Sequence, residues 1–468
     1  MAVVSLVLML LTTAFAANVA FSRPRSFSLF LLPAGLLYFG ADTDSGTAGP
    51  VANLSAIWLL CLIVVSIFAI IRVGKAGVPL AAPEIGYLVF LGWCAIESFR
   101  AADSSFAVRA FLKLLYPFLS MYLARRTVGS PDSADRLIKW QFRMTTTVTV
   151  LIFTALAIPA LFVVVNFVFW GAAAFFDHAV IIAMLALACW KVRGKLRYLV
   201  LALILSAICF KAVNRTTIVA LALGVSIISV LAFRKIAVVL LPILYVGLLA
   251  ILFTVPAFRE KMFYNPNKVQ TGVLQSASAV TSGQLNNDGR FAMWNEVLRR
   301  FFWPNPAVGS GLGATQAWFY SGAAEPILHT KLKIEHSEYV KLASDTGLIG
   351  VALFVVSILL ALVDAIRAYR RSTEESARIF SLAAICALPM FLFIIALDNA
   401  LLYVLPVAQF PLSFAAIASR LSVSNPVAAS KVGRRAMPQR RWLRRRTAGE
   451  RFAGGVHASA CAPAIRPV

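Results

Sequence analysis

The side chains best suited to chemistry in water gather between Phe258 and Asp345, a polar stretch that interrupts long apolar runs. His336 stands in Glu335-His336-Ser337-Glu338-Tyr339, and Arg290 follows Gly289. A histidine titrates near neutral pH and can take or give a proton there. Gly309, Gly311 and Gly313 alternate in Gly309-Ser310-Gly311-Leu312-Gly313. Such glycines allow close backbone approach and could offer N–H groups to a diphosphate, a weak signal taken alone. Upstream, Lys211 and Arg215 lie in Phe210-Lys211-Ala212-Val213-Asn214-Arg215-Thr216-Thr217. A forked guanidinium suits a phosphate, although snorkelling of both cations to lipid headgroups also explains them. Asp177-His178 is either a second site-lining pair or a helix cap with an interfacial histidine beside it.

These residues need elements to position them. Asn286-Asn287-Asp288-Gly289 reads as a turn into a helix, on which Arg290, Trp294, Val297, Leu298 and Phe301 share one side. That run suits the membrane interface, with Trp294, Phe301, Phe302 and Trp303 facing lipid, and Trp303-Pro304-Asn305-Pro306 ends it. A later helix is expected to start around His336, with the histidine in its first turn, and to continue past Gly347 into a membrane span. His329 and His457 are less favourably placed.

The rest of the chain belongs to a lipid environment. Of its 468 residues, 60% are hydrophobic and 14% charged, whereas soluble domains carry roughly a quarter charged residues. The expected class is an all-α polytopic membrane protein with about 12–13 transmembrane helices. Apolar stretches near 1–21, 27–41, 51–71, 80–97, 105–123, 145–168, 171–190, 196–213, 215–233 and 236–257 precede the polar stretch. Those near 346–366, 378–397 and 400–419 follow it. Ala14-Phe15-Ala16 resembles a signal-peptidase site, but no charged n-region precedes it, so a retained helix is expected.

A net charge of +24 suggests nucleic acid only if its placement is ignored. Alternate connections are basic: Arg23/Arg25, Arg72/Lys75, Arg125 to Arg143, Lys191 to Arg197, Arg234/Lys235 and Arg367 to Arg378. The intervening ones carry Asp42/Asp44, Arg100/Asp103 and Asp398. The positive-inside rule makes the basic set cytoplasmic and the 258–345 loop external. The expected division is an N-terminal bundle over 1–257, the large loop over 258–345, closing spans over 346–420 and a basic, disordered cytoplasmic tail over 421–468. Of six cysteines, five lie in apolar runs and Cys461 in the tail. None has metal-ligand spacing, so they read as small core residues.

Four motifs in this order resemble the O-antigen ligase and polymerase family. They are Asn214-Arg215-Thr216 at the start of a span, Gly289-Arg290 with Trp294, the run from Pro306 to Gly313, and His336-Ser337-Glu338-Tyr339 continuing to Gly347-Leu348-Ile349-Gly350. Ser337 replaces the family's usual Asn, and Asp345 stands where Glu is common. The resemblance covers roughly residues 205–365. It implies a metal-independent, cofactor-free membrane glycosyltransferase of GT-C-like architecture in the bacterial inner membrane, with its catalytic loop in the periplasm. The donor would be a glycan on undecaprenyl diphosphate. The acceptor would be lipid A-core, another carrier-linked repeat or a related hydroxyl, in lipopolysaccharide, capsule or exopolysaccharide synthesis.

In that reading His336 is the general base, while Arg290 and Arg215 neutralise the departing diphosphate. Lys211, Trp294, Gly309, Gly311, Gly313, Glu338 and Tyr339 would bind substrate. Glu335 and Glu338 could instead orient His336. A transporter or flippase for a polysaccharide intermediate, or a non-catalytic assembly protein, is the alternative. The transporter does not readily explain an external loop holding Arg, His and a glycine cluster.

Overall fold

In lipid every backbone polar group must find a partner within the chain, and helices satisfy that requirement locally. The computed structural model describes residues 2–37, 39, 54–74, 78–158, 161, 165, 168–169, 172–212, 214–256, 258, 290–328, 335–401 and 404–423. Asp42/Asp44, Asn286 to Gly289, His329 and the tail beyond 423 therefore lie outside the described residues, as does the Lys211 side chain.

Helices α1 (Ala2–Ser22), α2 (Phe27–Ala34), α3 (Leu54–Val73), α4 (Ala82–Phe99), α5 (Ser104–Thr127) and α6 (Pro131–Ala157) come first. They are followed by α7 (Ala172–Arg193), α8 (Leu196–Ala212), α9 (Arg215–Ala232) and α10 (Arg234–Thr254). Three short helices occupy the polar stretch: α11 (Arg290–Val297), α12 (Ala314–Tyr320) and α13 (Glu325–Leu328). Then come α14 (Glu338–Arg371), α15 (Glu375–Leu397) and α16 (Gln409–Val423). Among the described residues there is no β-strand, only an isolated bridge between Leu37 and Phe169.

Seven of these described helical segments are long and apolar enough to cross a membrane, and α1 with the segment through Ala34 adds a pair bent by 119°. Parts of α8 and α10 are apolar but shorter. Helix α4 carries buried Glu84 and Glu97 near its two ends, and α6 opens with a charged turn. Several apolar stretches counted in the sequence thus form helices that are short, bent or interrupted by polar groups.

Helices α15 and α16 pack together at the centre, against α4's neighbours α5 and α14 on one side and α7 and α9 on another. Buried alanines at 377, 383, 384, 387, 415, 416 and 418 bring their backbones close, the usual device where lipid removes the hydrophobic drive for helix association. Gly224 of α9 faces Met390 and Met184, where a Cβ would come within 2.3 Å of the Met390 sulfur.

At one end of the bundle carboxylates clamp arginines. Glu84 accepts from Arg125 and Arg126, each at 2.8 Å, and Asp135 pairs with Arg193. Following the helices to their opposite ends leads to Glu97, Asp103, the polar stretch and Asp398.

Candidate functional site

The polar stretch folds around its own small core of Met293, Val297, Trp318, Phe319, Ala324 and Leu328, with Trp294, Phe301 and Val340 packed against it. Helix α11 passes into a π-helical turn over Leu298–Phe302, and the wider turn rotates the residues that follow. The expected lipid-facing set is corrected at Trp294, Phe301 and Phe302, while Trp303 is exposed as expected. Trp294 and Phe301 turn inward and Phe302 is buried, while Phe291 (62% exposed) and Trp303 (64%) point outward.

The approach to α14 positions His336. Ser337 is the N-cap, its side chain accepting from Val340 N, so His336 precedes the helix and is not in its first turn. Its backbone is left-handed (φ 54°), a conformation uncommon outside glycine and a form of strain that collects at functional sites. The imidazole Nδ1 lies 3.2 Å from the Asn399 side-chain amide. Arg290 donates from Nη1 to the Leu397 carbonyl at 2.6 Å, at the end of α15. Trp294 donates from its indole to the Glu335 carbonyl at 2.7 Å, next to His336. The corner at 397–399 therefore gathers Arg290 and His336 from two distant parts of the chain, with Trp294 tied to the residue before the histidine.

Arg215 begins α9, capped by Asn214, whose side chain accepts from Thr217 N at 3.3 Å. Thr217 in turn donates to the fully buried Asp177 at 2.6 Å. Asp177 and Asp398 are close enough to interact electrostatically, which relates the start of α9 to the same corner. Asp177 is not a cap, since α7 begins at Ala172. Nor is His178 interfacial. It is completely buried, with Nδ1 2.9 Å from the Pro406 carbonyl and Nε2 3.0 Å from the Thr145 hydroxyl. Both ring nitrogens serve the packing of α6, α7 and the turn before α16.

The glycines take a different part. Helix α14 breaks at Gly347 (φ 67°, ψ −173°), which leaves nearby helical donors without their usual acceptors. Leu348 N donates to the Pro306 carbonyl at 2.9 Å and Ile349 N to the Ala307 carbonyl at 3.2 Å. The Thr346 carbonyl accepts from the Trp93 indole at 3.0 Å. Asp345 accepts from Gly313 N at 2.9 Å and from the Thr315 amide and hydroxyl at 3.1 Å, holding the start of α12.

The other loop amides also have protein acceptors: Gly309 N on Asn305, Ser310 N on Ser344, Gly311 N on Asp345 and Leu312 N on Glu97. The expected diphosphate cradle is therefore corrected, because every N–H from 309 to 313 already donates within the chain. Gly309, Gly311 and Gly313 let this loop seat against Asp345, Ala101 and Phe106, where an added Cβ would approach backbone within 2.7 to 2.9 Å. Arg100 secures the seat from the side, donating to the Gly309 carbonyl at 3.2 Å and pairing with Glu97. Asp103 caps α5, and its hydrogen bonds from the Ser105 hydroxyl and the Phe106 amide hold its carboxyl below the usual range.

Glu338 is buried in the first turn of α14. Tyr339 donates its hydroxyl to the Leu392 carbonyl at 3.2 Å, which anchors α14 to α15. Lys341, unremarked in the sequence, sits within electrostatic range of Glu335, Glu338 and Asp345. Asn399 was also missed. The only sequence signal for it is a polar Asp398-Asn399 step between two apolar runs.

Residues 199–355 match the O-antigen ligase family model. That interval includes Arg215, Arg290, the glycine loop and His336, but stops before Asn399. No curated protein matches the chain.

Proposed function

We propose that this chain, a member of the O-antigen ligase/polymerase family through residues 199–355, transfers a glycan from a polyprenyl diphosphate carrier to an acceptor hydroxyl. The observation that carries the reading is the shared corner: Arg290 on the Leu397 carbonyl and His336 beside Asn399. A base and a fixed cation are what such a transfer needs.

In the proposed step the acceptor oxygen attacks the anomeric carbon and forms the new glycosidic bond. His336 receives the hydroxyl proton. The bond from the anomeric carbon to the diphosphate oxygen breaks, and its electron pair leaves on the diphosphate. Attack opposite the leaving group inverts the anomeric centre. Arg290 and Arg215 offset the growing negative charge, an oxyanion-hole type of stabilisation. For His336 to act through Nε2, Nδ1 must carry the ring's other proton. Asn399 supports that tautomer when its amide oxygen faces Nδ1, an orientation reached by an amide flip that leaves the side chain's outline unchanged. The energy resides in the sugar–diphosphate bond, so no ATP enters the step, and in this proposal the two arginines take the place of a metal.

The reading sets the arginine-clamped end, with Arg125, Arg126 and Arg193, in the cytoplasm of a bacterial inner membrane. The 397–399 corner then faces the periplasm. The test uses purified full-length protein in detergent with EDTA, a defined undecaprenyl-diphosphate-linked oligosaccharide, and two acceptors in parallel. Product on lipid A-core identifies a ligase, and lengthened carrier-linked glycan identifies a polymerase. No product with either acceptor, alongside carrier movement across vesicles, would favour transport.

A further inference from the structure

A separate exposed surface lies on α6, remote in sequence from the family match. Arg136, Lys139, Trp140, Arg143, Thr146, Thr147 and Val150 fall at helical spacing, and all are exposed. The stripe is graded along the helix, from basic through hydroxyl-bearing to apolar. Beside its lower part a surface groove of about 500 Å³ is lined by Phe142, Arg143, Thr146, Thr147, Val150 and Leu151.

The basic groups here differ from the clamped arginines at the bundle end. Arg125 and Arg126 are neutralised by Glu84, and Arg193 by Asp135. Arg136, Lys139 and Arg143 form no ion pair among the described residues. Arg143 lies over the Trp140 ring at 5.8 Å, and Trp140 is itself 49% exposed. An unpaired cationic cluster beside an exposed tryptophan is an interfacial arrangement, in which the indole sits at headgroup depth.

We infer that this groove is a binding site for one anionic phospholipid. Its phosphate meets Arg136, Lys139 and Arg143. Its glycerol-ester oxygens accept from the Thr146 and Thr147 hydroxyls. Its acyl chains continue along Val150 and Leu151. From Arg143 to Val150 the helix rises about 10 Å, enough to carry a lipid from headgroup to acyl chain. A zwitterionic lipid has the same shape but brings an ammonium group toward three cations, so charge selects the occupant. The inference does not rest on the transfer reaction.

The test reads Trp140 directly. Full-length protein is placed in nanodiscs, and Trp140 fluorescence is taken as wild type minus Trp140→Phe. Acyl-brominated phosphatidylglycerol and acyl-brominated phosphatidylcholine are titrated as quenchers. The expected result is half-maximal quenching at about fivefold lower mole fraction of the anionic lipid. The preference should vanish in the Arg136→Gln/Lys139→Gln/Arg143→Gln variant, whose substitutions are all on the surface. It should persist in Arg367→Gln/Arg370→Gln/Arg371→Gln, which removes the same charge from exposed positions of α14. Equal quenching by both lipids in the wild type would overturn the inference. So would a preference that survives the α6 variant, or one that falls equally in both variants, since bulk charge would then explain it.

Discussion

Two neighbouring parts of the polar stretch use their polar groups in opposite ways. From Gly309 to Gly313 every amide donates to a protein acceptor, and the glycines admit that close seating. From Glu335 to Ser337 the chain holds a histidine in a left-handed conformation beside Asn399, two residues from the Leu397 carbonyl that fixes Arg290. The first pattern locks a kinked helix. The second keeps a strained residue in one place, a cost of about 1–3 kcal/mol that surrounding contacts must offset. Glycines and histidine carry equally suggestive motifs, and the proposed function places the reaction centre at the second region alone.

The sharpest break in this comparison is Gly347→Ala. Its Cβ would fall 2.2 Å from the Ala307 carbonyl oxygen at φ 67°, and both the clash and the backbone oppose it. We expect a loss of about 3 kcal/mol or more, read as little folded protein by thermal size-exclusion in detergent. Arg290→Ala should do the reverse. Melting stays near wild type, while transfer per folded molecule falls about 10²–10³-fold. Arg215→Lys keeps the charge but loses the fork, and a drop of roughly tenfold in transfer is expected, the equivalent of one charge-assisted hydrogen bond.

Asn399→Leu tests whether the corner fixes the imidazole. Transfer should fall about tenfold, and Asn399→Gln or Asp should recover part of it; a variant as active as wild type would leave Asn399 structural. The smallest effect is expected from Asp345→Asn, which puts an NH₂ group against the Gly313 or Thr315 amide. A stability loss of about 1–2 kcal/mol without change in transfer per folded molecule would keep Asp345 with the lock. A specific loss of transfer would move it to the reaction centre.

Much of the helical frame was legible because the bilayer imposes length and apolarity on its spans. Arg290 and Trp294 could be placed on one helix from their spacing alone. Other features depended on information that spacing does not hold. The π turn after Val297 redirected the aromatic face, and no residue pattern announces such a turn. His178 seemed interfacial because it stands near the start of an apolar span, whereas tertiary packing gave both its nitrogens partners. The glycine loop resembled an anion nest because a sequence lists amide donors without their acceptors. Those acceptors arise only once Gly347 breaks α14. Asn399 lay hidden for a related reason: its partner is 63 residues away in the chain.

The most direct test of the central claim is single-turnover transfer by purified His336→Ala, with thermal unfolding measured on the same sample. The account predicts a fall of about 10²–10⁴-fold in the transfer step with an unchanged melting temperature. Transfer near the wild-type rate by that folded variant would contradict it.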